Sequence, residues 1–258
     1  MKSKINYVII LLSLLSIQVL AQKNTKNKSP MKTKKVLIVV TSFGAVKNGT
    51  KTGIWLEEFT TPYYLLTTKG VEVTVASPLG GKSPIDPKSI TGDYATASVK
   101  KFLADPTAQQ VLNESLVLKD IKAKDYDAIF YPGGHGPMWD LPENSSSISL
   151  IESFFSDGKP IALVCHAPAA LKNVKGKDGT YLIKDKTVAG FTNSEEEAGQ
   201  STDMVPFSLE NMLKDRGAKY ESGKDWEPFA VQDGLLITGQ NPASAELVAE
   251  KIIALLSK

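Results

Sequence analysis

Cysteine and histidine are nearly missing from this chain, which has one cysteine, Cys165, and two histidines, His135 and His166, in 258 residues. A single cysteine excludes an internal disulfide. It leaves a lone thiol that is either core packing or a reactive group. Surplus charge is missing as well: 30 basic side chains face 28 acidic ones, for a formal charge of +2. Without a basic surplus there is no general reason to bind nucleic acid or an acidic membrane surface. A membrane span needs about 20 apolar residues, and the run from Val8 to Leu20, interrupted by Ser13, Ser16 and Gln18, falls short of that. There is no internal repeat and no sign of a second domain.

The N-terminus has instead the pattern of an export signal. Lys2 and Lys4 precede the apolar run, and Val19-Leu20-Ala21 supplies the small or short residues a signal peptidase reads. No cysteine comes after the run, which speaks against a lipoprotein anchor. Residues 1–21 are therefore expected to be removed from an exported, periplasmic or secreted protein with no remaining membrane span. Their removal takes away Lys2 and Lys4 and brings the formal charge from +2 to 0. Residues 22–34 carry Lys23, Lys26, Lys28, Lys32 and Lys34 among Asn, Thr, Ser and Pro, with no acid. Such a composition buries no core and reads as a flexible leader. About 225 residues remain, enough for one domain over 35–258 with a substantial core.

Strand-like and helix-like patterns alternate along that domain. Lys35 to Val40 is a continuous apolar, β-branched run, as in a strand covered on both faces. A helical stretch from Ile54 to Lys69 stops at Gly70. Strands are expected at Val71–Ala76, Asp127–Tyr131, Pro160–Cys165 and Leu235–Thr238, and a strand pair at Tyr181–Ile183 and Thr187–Ala189. Helices are expected at Ile148–Ser156 and, capped by Asn241-Pro242, at Ala243–Leu256. The Pro-, Gly- and Lys-rich stretch Ser77–Asp105 reads as a long surface excursion. The alternation predicts an α/β fold with a mostly parallel central sheet and helices on both faces.

In such a sheet, ligands bind beyond the carboxyl ends of the strands, and two strand ends carry unusual residues. Val164-Cys165-His166-Ala167-Pro168 puts the thiol at the end of a buried strand before an expected helix, whose N-terminus would steady a thiolate. Tyr131-Pro132-Gly133-Gly134-His135-Gly136 ends another, and glycines there let backbone N–H groups approach an oxyanion. A carboxylate in the first helix completes the set. Periodicity places Glu57 with Gly53, Thr61 and Tyr64 on a largely polar face, and Glu58 with Ile54, Pro62 and Leu65 on an apolar one. A glutamate buried on that stripe has a raised pKa and suits proton transfer beside a thiolate. A solvated residue at a frayed helix end is the alternative.

These segments, with Gly190-Phe191-Thr192-Asn193-Ser194-Glu195-Glu196 and Thr238-Gly239-Gln240-Asn241-Pro242-Ala243-Ser244, resemble the ThiJ/PfpI superfamily. Within it they are similar to the subgroup of glyoxalase III enzymes and heat-shock chaperones. The resemblance runs from about Val36 to the C-terminus and rests on the order and spacing of five motifs. It implies a flavodoxin-like three-layer sandwich, a homodimer, and no cofactor. It makes Cys165 the nucleophile, His166 its base and Glu58 the carboxylate facing the sulfur. The third acid falls on Glu196, flanked by Glu195 and Glu197. Gly133, Gly134 and His135 form the substrate and oxyanion loop, with the amides of Gly134 and His166 as donors. His135 is either a substrate contact or a histidine packed in its loop. Ala167 departs from the family, where glycine is common. Some relatives hold a metal with further histidines that this chain lacks, so no such metal site is expected.

The activity implied is glutathione-independent conversion of a small 2-oxoaldehyde, methylglyoxal or glyoxal, to its hydroxy acid. Other activities draw on the same residues or surface: a holdase chaperone, an oxidation sensor, repair of glycated proteins, and a cysteine peptidase or amidase. A class I glutamine amidotransferase is disfavoured, since no histidine comes after His166.

Overall fold

The apolar runs of the sequence become strands buried along their length. In a computed structural model that describes residues 33–258, β1 (Lys35–Val39), β2 (Glu72–Ser77), β3 (Leu116–Val117), β4 (Ala128–Tyr131), β5 (Ile161–Val164), β8 (Ala230–Asp233) and β9 (Leu236–Gly239) form one sheet. Its order is β3-β2-β1-β4-β5-β9-β8; only β8 runs antiparallel, against β9. Every residue of β4, β5 and β9 is buried, as covering on both faces requires. The expected export signal over 1–21 and nearly all of the leader over 22–34 lie outside the described residues. Among the described residues, no helix is long and apolar enough to cross a membrane.

Eight α-helices accompany the sheet among the described residues: α1 (Leu56–Thr68), α2 (Ala97–Leu103), α3 (Pro106–Asn113), α4 (Pro137–Asp140), α5 (Ser145–Ser156), α6 (Asn193–Ala198), α7 (Leu209–Asp215) and α8 (Ala245–Leu256). The crossover β1–α1–β2 leaves β1 toward one edge of the sheet, and β4–α5–β5 leaves β4 toward the other. Parallel crossovers are right-handed, so α1 and α5 cover opposite faces. Helix α8 packs along α1 and on β9 and β5. The result is a flavodoxin-like three-layer sandwich. The two crossovers diverge between β1 and β4, the place beyond whose strand ends ligands bind in sheets of this kind.

Helix α1 shows how local chemistry sets an element that carries a site residue. It ends in a Schellman turn: Gly70, at φ +76°, donates to Thr67 O at 2.9 Å, and Val71 donates to Leu66 O at 3.1 Å. Pro62 lies inside it and lacks the N–H that would have bonded the carbonyl of Glu58.

One expectation fails and two are amended. Tyr181–Ile183 is not a strand; Tyr181 makes one isolated bridge to Lys175, and β6 (Thr187–Val188) pairs instead with β7 (Lys219–Tyr220). Leu182 and Ile183 are buried outside any strand, the Leu182 N–H donating to Val174 O at 3.0 Å, and Asp185 at φ +62° turns the chain before β6. The Ser77–Asp105 excursion contains α2, whose Val99 and Phe102, three residues apart, are buried in the core. The last helix begins with a separate 3-10 turn at Pro242–Ser244, closed by reciprocal side-chain bonds of Asn241 and Ser244. Phe154 on α5 is fully buried. Its replacement by alanine is expected to cost about 3–5 kcal/mol in urea-induced unfolding, with little change at the carboxyl ends of the strands.

Candidate active site

Strand β5 stops at Val164, and Cys165 turns out of it at φ +62°. A non-glycine residue there costs of order 1–3 kcal/mol and persists only where its surroundings fix it. They do: the Cys165 N–H donates to Gly239 O at 3.0 Å, and its carbonyl accepts from the Phe191 N–H at 3.0 Å. Beyond His166 the chain enters not the expected helix but a five-residue 3-10 turn, Ala167–Leu171, with Pro168 in its first positions. A turn this short has little macrodipole, so steadying of a thiolate falls to individual amides. Ala167 is fully buried, and its φ is not among the positive values, so glycine is not required there.

The buried sulfur lies 3.2 Å from Nδ1 of His166. On the far side of that ring, Nε2 is 2.8 Å from Oε2 of Glu196, and the second oxygen, Oε1, is 3.0 Å from Nε2 of His135. Burial alone would raise the Glu196 pKa, but the hydrogen bonds from His135 and His166 outweigh it and hold the carboxyl well below its ordinary range. An ionised carboxylate only accepts. Both Nε2 atoms therefore carry protons. Burial, and next the neighbouring His135, push His166 down to about 4 against the pull of Glu196, so its ring is neutral. With the proton on Nε2, Nδ1 offers a lone pair to the thiol. That is the arrangement of a general base.

Glu58 reaches the same sulfur from α1. It is fully buried, and its Oε2 accepts from the Gly133 N–H at 2.7 Å. Burial pushes its pKa up to about 8, against the hydrogen bonds of Cys165 and Gly133. Burial, and then the negative charge of Glu58, push the Cys165 thiol up as well, while the Gly134 N–H pulls it down. Two buried anions in contact are mutually excluded. A thiolate at Cys165 therefore requires a protonated Glu58, with the Gly134 amide supporting the charge. Glu57, one position along, is half-buried and lies by Thr96, away from this pair.

The glycines permit this closeness. A Cβ at Gly133 would stand 2.6 Å from Val164 O and 2.9 Å from both Glu58 Oε2 and the His166 N. One at Gly134, at φ +85°, would stand 2.3 Å from the Trp55 N. The Gly133 N–H is committed to Glu58, so it is not a free oxyanion donor, and its part is to hold that carboxyl. The Gly134 N–H is the amide that acts on the sulfur. His135 is not simply packed in its loop, because it shares Glu196 with His166, its ring 4.2 Å from the other. Its side chain is 17% exposed, against 1% for His166.

Of the three adjacent acids, Glu196 faces the histidines. Glu195 is buried and structural: its Oε1 accepts from the Trp226 N–H and from Gln240 and Asn241 side chains, and its Oε2 accepts from Thr192. Glu197 is exposed. The Thr192-x-x-Glu195 capping box is a spacing that assigns Glu195 to the helix start from sequence alone. Sequence reading missed Phe191, whose ring lies 4.3 Å from that of His166, and Gln240 and Asn241 as supports of Glu195. The donor atoms of His135, His166 and Glu196 lie within 4.8 Å of one another, close enough to hold a metal ion. Both histidines of the chain thus converge on one carboxylate.

Residues 50–255 match the DJ-1/PfpI family. Glyoxalase 3 of Candida albicans is 30% identical over 230 residues, covering 85% of this chain and 97% of that protein. The crystal structure of glyoxalase III from the same yeast superposes with a TM-score of 0.80, covering 86% of this chain and 96% of the other at 30% identity. The Rapid Encystment Protein of 24 kDa from Francisella tularensis superposes with a TM-score of 0.83 at 42% identity, covering 86% and 99%.

A neutral buried Glu58 also marks stability. Its folded pKa of about 8 exceeds its ordinary 4.5. Between those values the unfolded chain loses the proton and the folded one keeps it, so the stability Glu58 allows falls as pH rises through that window. Glu58→Gln is expected to raise the melting temperature, by more near pH 8 than near pH 5. Thermal unfolding of both proteins across that range checks it, and a gain that does not grow with pH contradicts it.

Proposed function

The chain belongs to the DJ-1/PfpI family, and from that membership and the geometry of its site we propose a glutathione-independent glyoxalase that converts methylglyoxal or glyoxal to its hydroxy acid through Cys165. The observation that carries the reading is a thiol with two different proton partners: the Nδ1 lone pair of His166 at 3.2 Å, and a buried carboxylic acid, Glu58, protonated in neutral solution. Simple acyl hydrolysis needs the base. Moving hydrogen between two adjacent carbons needs a donor and an acceptor on the same intermediate.

These positions set the order of steps. His166 takes the thiol proton, and the sulfur adds to the aldehyde carbon, giving a hemithioacetal whose oxygen the Gly134 and His166 amides support. A proton leaves that carbon, and another is delivered to the neighbouring carbonyl carbon, through an enediol. Glu58 and His166 are the groups placed to exchange these protons. The product of this rearrangement is a thioester of the 2-hydroxy acid on Cys165. Water cleaves it and releases lactate from methylglyoxal, or glycolate from glyoxal, with the thiol restored. The net change is addition of one water to the oxoaldehyde, with no external oxidant or reductant. Glu196, held ionised, keeps the His166 ring in the tautomer that can accept from sulfur. The reading further places this activity outside the cytoplasm, through the export signal expected over residues 1–21.

Lactate formed from methylglyoxal without glutathione is the direct assay. Cys165→Ala is expected to lose the activity by on the order of a thousandfold or more while keeping its melting temperature within a few degrees. Glu58→Gln should bind substrate but lose on the order of 100-fold in kcat. Near-wild-type lactate from folded Cys165→Ala contradicts the mechanism. A folded wild type that makes none contradicts the function.

A further inference from the structure

Both imidazoles of the chain direct Nε2 at one carboxylate, and the proposed reaction uses only one of them. We propose that His135, His166 and Glu196 form a binding site for a divalent transition-metal ion such as Zn²⁺, and that an ion seated there disables the base. The binding is independent of the glyoxalase reading. The loss of lactate formation that follows from it rests on that reading.

The donor set selects the ion. Two imidazole nitrogens and a carboxylate suit Zn²⁺, Co²⁺, Ni²⁺ or Cu²⁺, whereas Ca²⁺ and Mg²⁺ take oxygen ligands. The absence of further histidines excludes a site built on them, not one built on the two that are present. The three donor atoms lie within 4.8 Å of one another. Each Nε2 already stands beside its own carboxylate oxygen, at 3.0 Å for His135 and 2.8 Å for His166. Ligand atoms around a tetrahedral ion with bonds of about 2.0–2.1 Å are about 3.3 Å apart. The two N···O pairs therefore open by a few tenths of an ångström, and the widest pair closes from at most 4.8 Å to that separation. The closing movement falls to His135, whose side chain is 17% exposed against 1% for His166. Three protein ligands leave a fourth position for water.

An imidazole binds a metal through a lone pair. Nε2 of each ring gives up the proton it donates to Glu196, and each ring stays neutral by carrying one proton on Nδ1 instead, so no proton is gained or lost overall. At His166 that second nitrogen lies 3.2 Å from Sγ. The lone pair that would receive the thiol proton becomes an N–H pointing at the sulfur, and the base is gone. The sulfur then serves as the outer partner that orients a metal-bound imidazole, without touching the ion.

With His135 and His166 the only histidines, the ring nitrogens of untagged, nitrogen-15-labelled protein are read individually by NMR during addition of Zn²⁺. The expected result is one ion per chain by equilibrium dialysis, with both Nε2 signals moved to metal-bound positions and the proton of each ring on Nδ1. Co²⁺ in place of Zn²⁺ is expected to give visible d–d bands and no thiolate-to-metal charge-transfer band. His135→Leu and Glu196→Gln, each checked for folding by circular dichroism and melting temperature, should bind Zn²⁺ more weakly by on the order of 100-fold or more, and Cys165→Ala by about tenfold. Zn²⁺ should stop lactate formation by wild type, and a chelator should restore it; Ca²⁺ should do nothing. The site is overturned if folded wild type binds no Zn²⁺, if folded His135→Leu binds it as wild type does, or if a thiolate band or loss of binding in Cys165→Ala places the ion on sulfur. Lactate formation that continues with both rings metal-bound overturns the disabling of the base. A wild type that makes no lactate before metal is added counts against the glyoxalase reading and not against the site, which the nitrogen signals and the dialysis decide.

Discussion

A buried carboxylic acid in contact with a buried thiol can hold one negative charge between them but not two, and the rest of this structure is arranged around that limit. Glu58 gives up solvation entirely. Its single firm contact, the Gly133 N–H at 2.7 Å, is too little to keep it ionised in neutral solution. A neutral Glu58 is what permits an anion on Cys165. It also supplies a proton donor where the sulfur's adduct would form. The cost is spread over the backbone: a cysteine at φ +62°, two glycines where any Cβ would collide with neighbouring backbone atoms, and a carboxylate with two imidazoles behind the base.

The fold delivers these groups because the sheet diverges between β1 and β4. Loops from the ends of β4 and β5, the first turn of α1 and the start of α6 meet at one place, although they lie up to 138 positions apart in the chain, as Glu58 and Glu196 do. Cooperation at the backbone level fixes the geometry. The Cys165 N–H is tied to the end of β9 and its carbonyl to Phe191. The loop that carries Trp226 is tied to Glu195, the neighbour of the acid that orients His166. Motion of the sulfur relative to its base therefore requires breaking contacts in several elements at once. This is the condition under which a strained nucleophile survives.

The sheet and its carrier strands were legible in the sequence because buried parallel strands are continuous apolar runs, and β1, β4, β5 and β9 all show them. Glu58 was legible through helix periodicity. Short elements were harder: β3 and β7 have two residues each, too few for any periodic signal, and β6, expected as a strand, pairs with β7 and not with Tyr181–Ile183. Strand β8 mixes exposed and half-buried positions at the sheet edge. A helix is expected after Cys165 and a 3-10 turn is found, because the five residues Ala167–Leu171, three of them alanine, have too little amphipathic length to tell the two apart. The capping-box spacing sets Glu195 aside, but choosing between Glu196 and Glu197 needed the fold, since they are adjacent in one helical turn and only their partners differ. The double use of Glu196 could not be read at all, because His135 and His166 come from different strand ends.

The account stands or falls on whether Glu58 is protonated beside Cys165 in neutral solution. The direct measurement is the infrared carbonyl band of a protonated carboxylic acid, taken as the difference between wild type and Glu58→Gln and tracked through a pH titration. The account predicts that the band is present in neutral solution and disappears with a midpoint of about 8. A band already lost near the ordinary glutamate value of 4.5 would mean an ionised Glu58 in neutral solution, and the thiolate mechanism built on its proton would be wrong.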